Sequence, residues 1–291
     1  MPWTSLGIAL TAVLGAGLLL FPTVVSWFSQ YEQSQRIDDL TADVADLGSA
    51  TLQEELARAR AYNEGLVGGG ADVVANGRLP VADEPDQAGG YDELLRADRT
   101  GLMARLKIPA IHVDLPVSHG TSDAVLEHGV GHLEGTALPV GGPSTRAVLT
   151  AHRGLATAEL FTHLDRVEIE DTIVLEVFGE VLTYRVIDTR VVEPTDGQSV
   201  LPVDGRDLLT LVTCTPLGVN SHRILVTGER VIPTPQADLE DAGRSPEIPT
   251  FPWWILISIG VLATAGGYVW LSGRPTGRAD VTTRHPEARR R

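Results

Sequence analysis

The 291-residue sequence is short of three things, and each absence removes a class of protein. It has one cysteine, which excludes an intrachain disulfide framework and any metal cluster built from several thiolates. Basic residues are outnumbered, 23 Lys and Arg against 38 Asp and Glu, and the formal charge of -15 opposes general attraction to nucleic acid. Charge is missing altogether from Met1 to Tyr31, and that gap excludes an ordinary soluble N-terminus. The 21% charged fraction excludes wholesale disorder, and the length allows a sizeable core.

What stands in the uncharged stretch is an apolar run, Leu6 to Phe28, long enough to cross a bilayer despite Pro22. It has no basic flank before it and no small-residue cleavage site after it, so it reads as an uncleaved anchor over 1–28. A second run, Phe251 to Gly273, opens on Trp253 and Trp254 and closes with Tyr268 and Trp270, the aromatic belt of a spanning helix. The tail over 274–291 carries six arginines against Asp280 and Glu287, which by the positive-inside rule stays in the cytoplasm. Two spans then place the segment between them outside the cell, with 17 basic and 36 acidic residues and a net charge of -19. A thiol on that side, unpaired, points to chemistry more than to packing.

Residues 29–63 read as a membrane-proximal helix, with Ile37, Leu40, Val44 and Leu47 at 3-4-3 spacing. Two clean heptads are too few for a coiled coil, so packing on its own domain is the better reading. Residues 64–90 crowd Gly68, Gly69, Gly70, Gly77, Pro80, Pro85, Gly89 and Gly90 and read as a lid-like loop. From 91 to 232 the chain is strand-rich, with a short helix at Tyr91–Arg96 and a turn around Ser122–Glu127. Strands are expected at Leu102–Ile108, His112–Ser118, Thr145–His152, Thr172–Phe178, Val181–Val192, Leu208–Cys214 and Arg223–Val231, the pattern of an all-β sandwich or barrel. Residues 233–250 read as a tether to the second span, 251–273.

The chemistry gathers where strands end. Cys214 ends a β-branched strand, and eight residues later, past the turn formers Pro216 and Gly218, Arg223 opens the next. If the two strands pair antiparallel, thiol and guanidinium share one end of the sheet. His152 leaves another β-branched run into Arg153-Gly154. On position alone it would be a surface histidine; with Cys214 and Arg223 it becomes a proton partner. The thiolate is the nucleophile, His152 can take and return a proton, and Arg223, protonated well above neutral pH, can only donate to a substrate oxygen. This is acyl transfer to a cysteine.

These residues carry a resemblance. Thr210-Leu-Val-Thr-Cys214-Thr-Pro-Leu-Gly-Val-Asn-Ser-His-Arg223 resembles the TLxTC…R signature of the sortases, and in its C-T-P-x-G-x-N-S-H-R form the class C, pilin-polymerising members. Gly129 to Thr136, Leu138 to Gly142, Leu149 to Leu155 and Leu160 to Asp165 are similar to the same class, so that 91–232 is covered densely. The resemblance implies a closed eight-stranded β-barrel with short helices, an N-terminal helix and two flanking spans. It implies a His152–Cys214–Arg223 triad, cleavage of an LPxTG-like signal between Thr and Gly, and transfer to an amine, a pilin lysine in class C. It also implies that Thr213 and Leu217 meet the substrate, and no cofactor. Implied partners are pilins or other surface proteins bearing that signal, the amine nucleophile and the membrane, with no nucleic acid.

The sequence departs from that class in three places. Asp83-Glu84-Pro85-Asp86 stands where an Asp-Pro-aromatic lid motif is usual, which leaves Asp83 and Asp86 as lid candidates toward Arg223. Leu217 stands where an aromatic residue is common, and Arg146 where a histidine is. Rival readings are a sortase that joins proteins to peptidoglycan, a cysteine hydrolase, and an anchored surface protein without activity. The last lacks a sorting pentapeptide before its span. A metal at His128, His132 and Glu134 is disfavoured because Gly129 and Gly131 break the helix that would align them. His222 is the alternative proton partner, placed by strand alternation on the face opposite Arg223.

Overall fold

The computed structural model describes residues 3–66, 90–97, 101–246, 249 and 251–274. They form two compact units, one of residues 23–250 and one of 1–22 with 251–291. Helix α1 (Trp3–Asp46) begins in the second unit and continues into the first, with Pro22 inside it. Its first half and α5 (Trp253–Ser272) are each long and apolar enough to cross a membrane, and no residue of α5 is buried.

The larger unit is a closed barrel. Its strands are β1 (Leu102–Ile108), β2 (Val113–His119), β3 (Val130–His132), β4 (Thr145–Thr150), β5 (Thr172–Val177), β6 (Glu180–Val192), β7 (Asp207–Thr215) and β8 (His222–Arg230). Around the barrel they run β1-β2-β3-β4-β7-β8-β6-β5, and β5 pairs back with β1 to close the ring. Closure removes the exposed edges that a sheet of this size would otherwise present. Two neighbouring pairs are parallel, β2 with β3 and β4 with β7.

The β4–β7–β8 wall has apolar layers on both faces. Ala147, Leu149 and Ala151, Leu209 and Leu211, and Ile224 and Val226 point into the main core. Their neighbours Val148, Val212 and Leu225 form a second cluster on the outer face, with Leu133 and with Val200 from the β6–β7 connection. That is why β7 reads as a near-continuous apolar run rather than an alternating one.

Helix α2 (Ser49–Gly65) lies on the barrel through Leu56 and Ala59, both within the main core cluster. Asn63 ties it down with two bonds to one residue. Its Nδ2 donates to the Leu138 carbonyl at 3.0 Å, and its Oδ1 accepts from the Leu138 N–H at 2.7 Å. Arg60 adds a two-oxygen ion pair with Glu180. Helix α2 is therefore a packed part of this unit.

Residues 233–246, expected as a tether, are strapped to the barrel. They include the short α4 (Gln236–Glu240), and α3 (Asp123–Leu126) fills the turn foreseen near 122–127. Thr183 Oγ1 donates to Asp238 at 2.7 Å, Lys107 pairs with Asp241 at 3.0 Å, and Arg105 donates to the Arg244 carbonyl at 2.6 Å. Arg105 is 3% exposed and also grips Asp114 with both ends of its fork.

Candidate active site

Three strands deliver the candidate triad by register. In the antiparallel β7–β8 ladder Cys214 is the direct partner of Arg223. In the parallel β4–β7 ladder the last pair is Thr150 with Val212, and the Ala151 N–H still bonds the Val212 carbonyl at 3.3 Å. His152 lies two residues beyond that pair on β4's side, as Cys214 does on β7. All three positions share the parity of Val148, Val212 and Leu225, so the row lies on the outer face of the barrel, above that apolar layer.

Cys214 is free and 7% exposed. Burial pushes its thiol pKa up, and the Arg223 guanidinium opposes that rise. A thiol shifted in this direction needs a base to take its proton before it can attack.

Arg223 is held by its own loop. Its Nη1 donates to the carbonyls of Asn220 and His222, each at 3.0 Å. Asn220, at φ 58°, turns the chain back to make this possible. The Nε of Arg223 is buried with no hydrogen-bond partner among the described residues, a donor left over on the guanidinium opposite the thiol. An orphaned buried donor costs free energy unless a ligand supplies the acceptor.

Thr213, implied as a substrate contact, has its side chain taken up in the structure. It is fully buried with the opposite parity to Cys214, and its Oγ1 donates to the Ala151 carbonyl at 2.8 Å. It pins the end of β7 to the residue before His152 and does not face outward. Leu217 is 51% exposed on the β7–β8 loop, and its side chain leans over Gly154, where a Cβ would overlap it. The loop after the cysteine and the loop bearing the histidine therefore meet through Leu217 and Gly154. Asp83 and Asp86 lie outside the described residues.

The rival residues are occupied. His222 pairs with Thr215, one place off the thiol, and its ring contacts Ser221 Oγ at 2.8 Å and Glu193 at 3.2 Å. His132 is wholly buried, with Nδ1 2.8 Å from the Tyr91 hydroxyl and Nε2 2.9 Å from the Ala137 carbonyl. Arg146, on the same outer face as His152, donates to the Ser199 carbonyl at 2.9 Å and Thr210 Oγ1 at 3.1 Å, under the β6–β7 connection. Burial lowers its pKa to about 10, with Arg190 and Arg206 adding repulsion.

One residue at the site was not singled out from the sequence. Arg153 is 8% exposed at its side chain and reaches across to Thr215, the residue after the cysteine. An arginine beside a glycine in a loop carries no periodic signal, so spacing alone could not have raised it.

The sortase domain model matches residues 106–231, which cover the barrel from within β1 onward and include all three candidate triad positions. The chain is 46% identical to sortase C-1 from Actinomyces oris, over 62% of this chain and 98% of that one, with a TM-score of 0.55. It is 37% identical to Streptococcus pneumoniae sortase C, a structure described for its catalysis and pilin substrate specificity, over 68% and 96%, with a TM-score of 0.58. Sortase D of Bacillus subtilis is 31% identical over 130 residues, 43% of this chain and 62% of that protein, so the chain spans less than two thirds of this relative.

Proposed function

The chain belongs to the sortase family, and from that membership we propose that it is a membrane-anchored cysteine transpeptidase of the pilin-polymerising class. Cys214, its proton passed to His152, attacks the threonine carbonyl carbon of an LPxTG-like signal. The oxygen gains charge, and Arg223 donates to it. The C–N bond to glycine breaks, His152 returns the proton to the departing amine, and a thioester remains on Cys214. A second amine, a lysine of the next pilin, then attacks the thioester carbonyl. It loses its proton to His152 and releases the thiol.

One observation supports this reading most: Cys214 and Arg223 are direct partners in the β7–β8 ladder, and β4, beside β7, ends two residues before His152. The Nε of Arg223, without a partner among the described residues, supports its role, because a substrate oxygen could serve as its acceptor. The pilin partner is supported by the C-T-P-x-G-x-N-S-H-R form of the motif and by likeness to the S. pneumoniae enzyme. Leu217, exposed on the β7–β8 loop, is the residue we assign to the apolar part of the signal.

The test is intact mass of the detergent-solubilised full chain incubated with an LPxTG-type peptide. The expected result is an acyl adduct that moves to added amine and is absent in Cys214→Ala. Formation in Arg223→Ala is expected to slow by about 100-fold or more. No adduct on the unmodified chain, or an adduct that persists in Cys214→Ala, would overturn the reading. Release to water alone under saturating amine would make the protein a hydrolase.

A further inference from the structure

Arg153 follows His152 directly, and its guanidinium makes three directed contacts while almost wholly buried. Nη1 donates to Thr215 Oγ1 at 2.9 Å, Nε donates to the Thr162 carbonyl at 3.1 Å, and Nη2 pairs with Asp165 at 2.8 Å. One planar group thus joins the residue after the histidine, the residue after the cysteine, and the turn at 162–165. Two bonds from backbone N–H groups close the same loop: Phe161 N–H to the His152 carbonyl, and Gly154 N–H to the Thr162 side-chain Oγ1, both at 3.1 Å.

We propose that Arg153 is a positioning residue of this site, its fork fixing the exit of β4 against the exit of β7 so that His152 stays within proton-transfer reach of Cys214. The inference rests on Cys214 and His152 acting as nucleophile and proton partner. Joining the strands is not what the fork is needed for, because six paired residues and the Thr213 bond to Ala151 already do that. It bridges the two chains just beyond the last ladder pair, where His152 and Cys214 sit. Nor is the charge of Arg153 the influence on the thiol, since the opposing pull there comes from Arg223. Three acceptors in different directions suit a planar fork and cannot be met by one ammonium.

The experiment uses the full chain in detergent and three readouts: kcat and KM on an LPxTG-type peptide, the pH profile of Cys214 alkylation by iodoacetamide, and melting temperature. Arg153→Gln and Thr215→Val should each lower kcat about 10- to 100-fold at nearly constant KM, the scale expected of small misplacements. The double variant should be no worse than the worse single one, because both remove one link. Arg153→Lys should not rescue, and alkylation at neutral pH should fall toward that of His152→Ala.

Arg105→Gln removes a buried arginine clamp elsewhere in the barrel. It should lower the melting temperature yet leave kcat and the alkylation profile unchanged. Wild-type kcat in Thr215→Val, rescue by Arg153→Lys, or losses that merely follow melting temperature as in Arg105→Gln would overturn the inference. Should Arg153→Gln fail to fold, Thr215→Val decides, because it keeps the ion pair to Asp165. An inactive wild type whose alkylation still depends on His152 would instead sink the proposed function and leave the Arg153 test standing.

Discussion

Cys214 is caught between two opposed effects, and their balance sets its reactivity. Burial favours the neutral thiol and Arg223 favours the thiolate, with burial the larger. Without His152 to accept the proton, the thiol should therefore titrate above the range of an exposed cysteine. In His152→Ala, alkylation is expected to keep rising with pH beyond that range, and adding Arg223→Gln should move the midpoint higher still. Rates measured against pH decide it, and a midpoint at the exposed-thiol value would show that burial does not govern this group. Arg223 is more than a charge. Its Nη1 is already bound to the Asn220 and His222 carbonyls, and Nε is the buried donor without a partner among the described residues. Arg223→Lys keeps the charge and loses that fixed donor, so kcat on the peptide should still fall about 100-fold.

At the scale of elements, two buried polar side chains hold pieces that a barrel of strands does not fix by itself. Asn63 satisfies both backbone groups of Leu138, and Asn63→Ala leaves that buried pair without partners. The expected loss is about 2 kcal/mol in denaturant unfolding, with faster amide exchange in α2. His132 ties β3 to the turn holding Tyr91, and burial lowers its pKa to about 4. Between that value and the ordinary 6.5 the unfolded chain binds a proton that the folded one does not. Stability from this residue is complete above 6.5 and falls as pH drops toward 4, by about 3 kcal/mol in all. Melting curves from pH 7 to 4 should show a weaker acid dependence in His132→Gln.

The same elements separate what sequence reveals from what it hides. Seven strands were legible because each buries a run of β-branched or leucine residues between turn formers; β1 matches at both ends. β3 was not legible. It has three residues, and its Gly131 is required because a Cβ there would strike the Gly120 carbonyl, so no apolar period can form. The candidate triad could be proposed from sequence because each member lies within two residues of a strand end. The inward turn of Thr213 and the reach of Arg153 depend on which neighbour lies across a ladder, and one sequence does not state that.

Across the whole molecule, charge and apolar length divide in a way that sets a testable topology. The two apolar helices bracket a segment of net charge -19, and six arginines follow the second. Moving the arginine-rich tail across a bilayer is disfavoured, while the acidic segment meets no such bar, so both ends should lie in the cytoplasm and the barrel outside. The single cysteine makes this measurable, because Cys214→Ala gives a background without thiols. In that background Val219→Cys, at a site 70% exposed on the β7–β8 loop, should react with a membrane-impermeant maleimide on intact cells. Arg291→Cys should react only after permeabilisation. The reverse pattern would put the barrel in the cytoplasm, away from any surface protein, and the transpeptidase reading would fail with it. Labelling of both positions on intact cells would mean that only one helix spans, leaving the tail and the barrel on the same side.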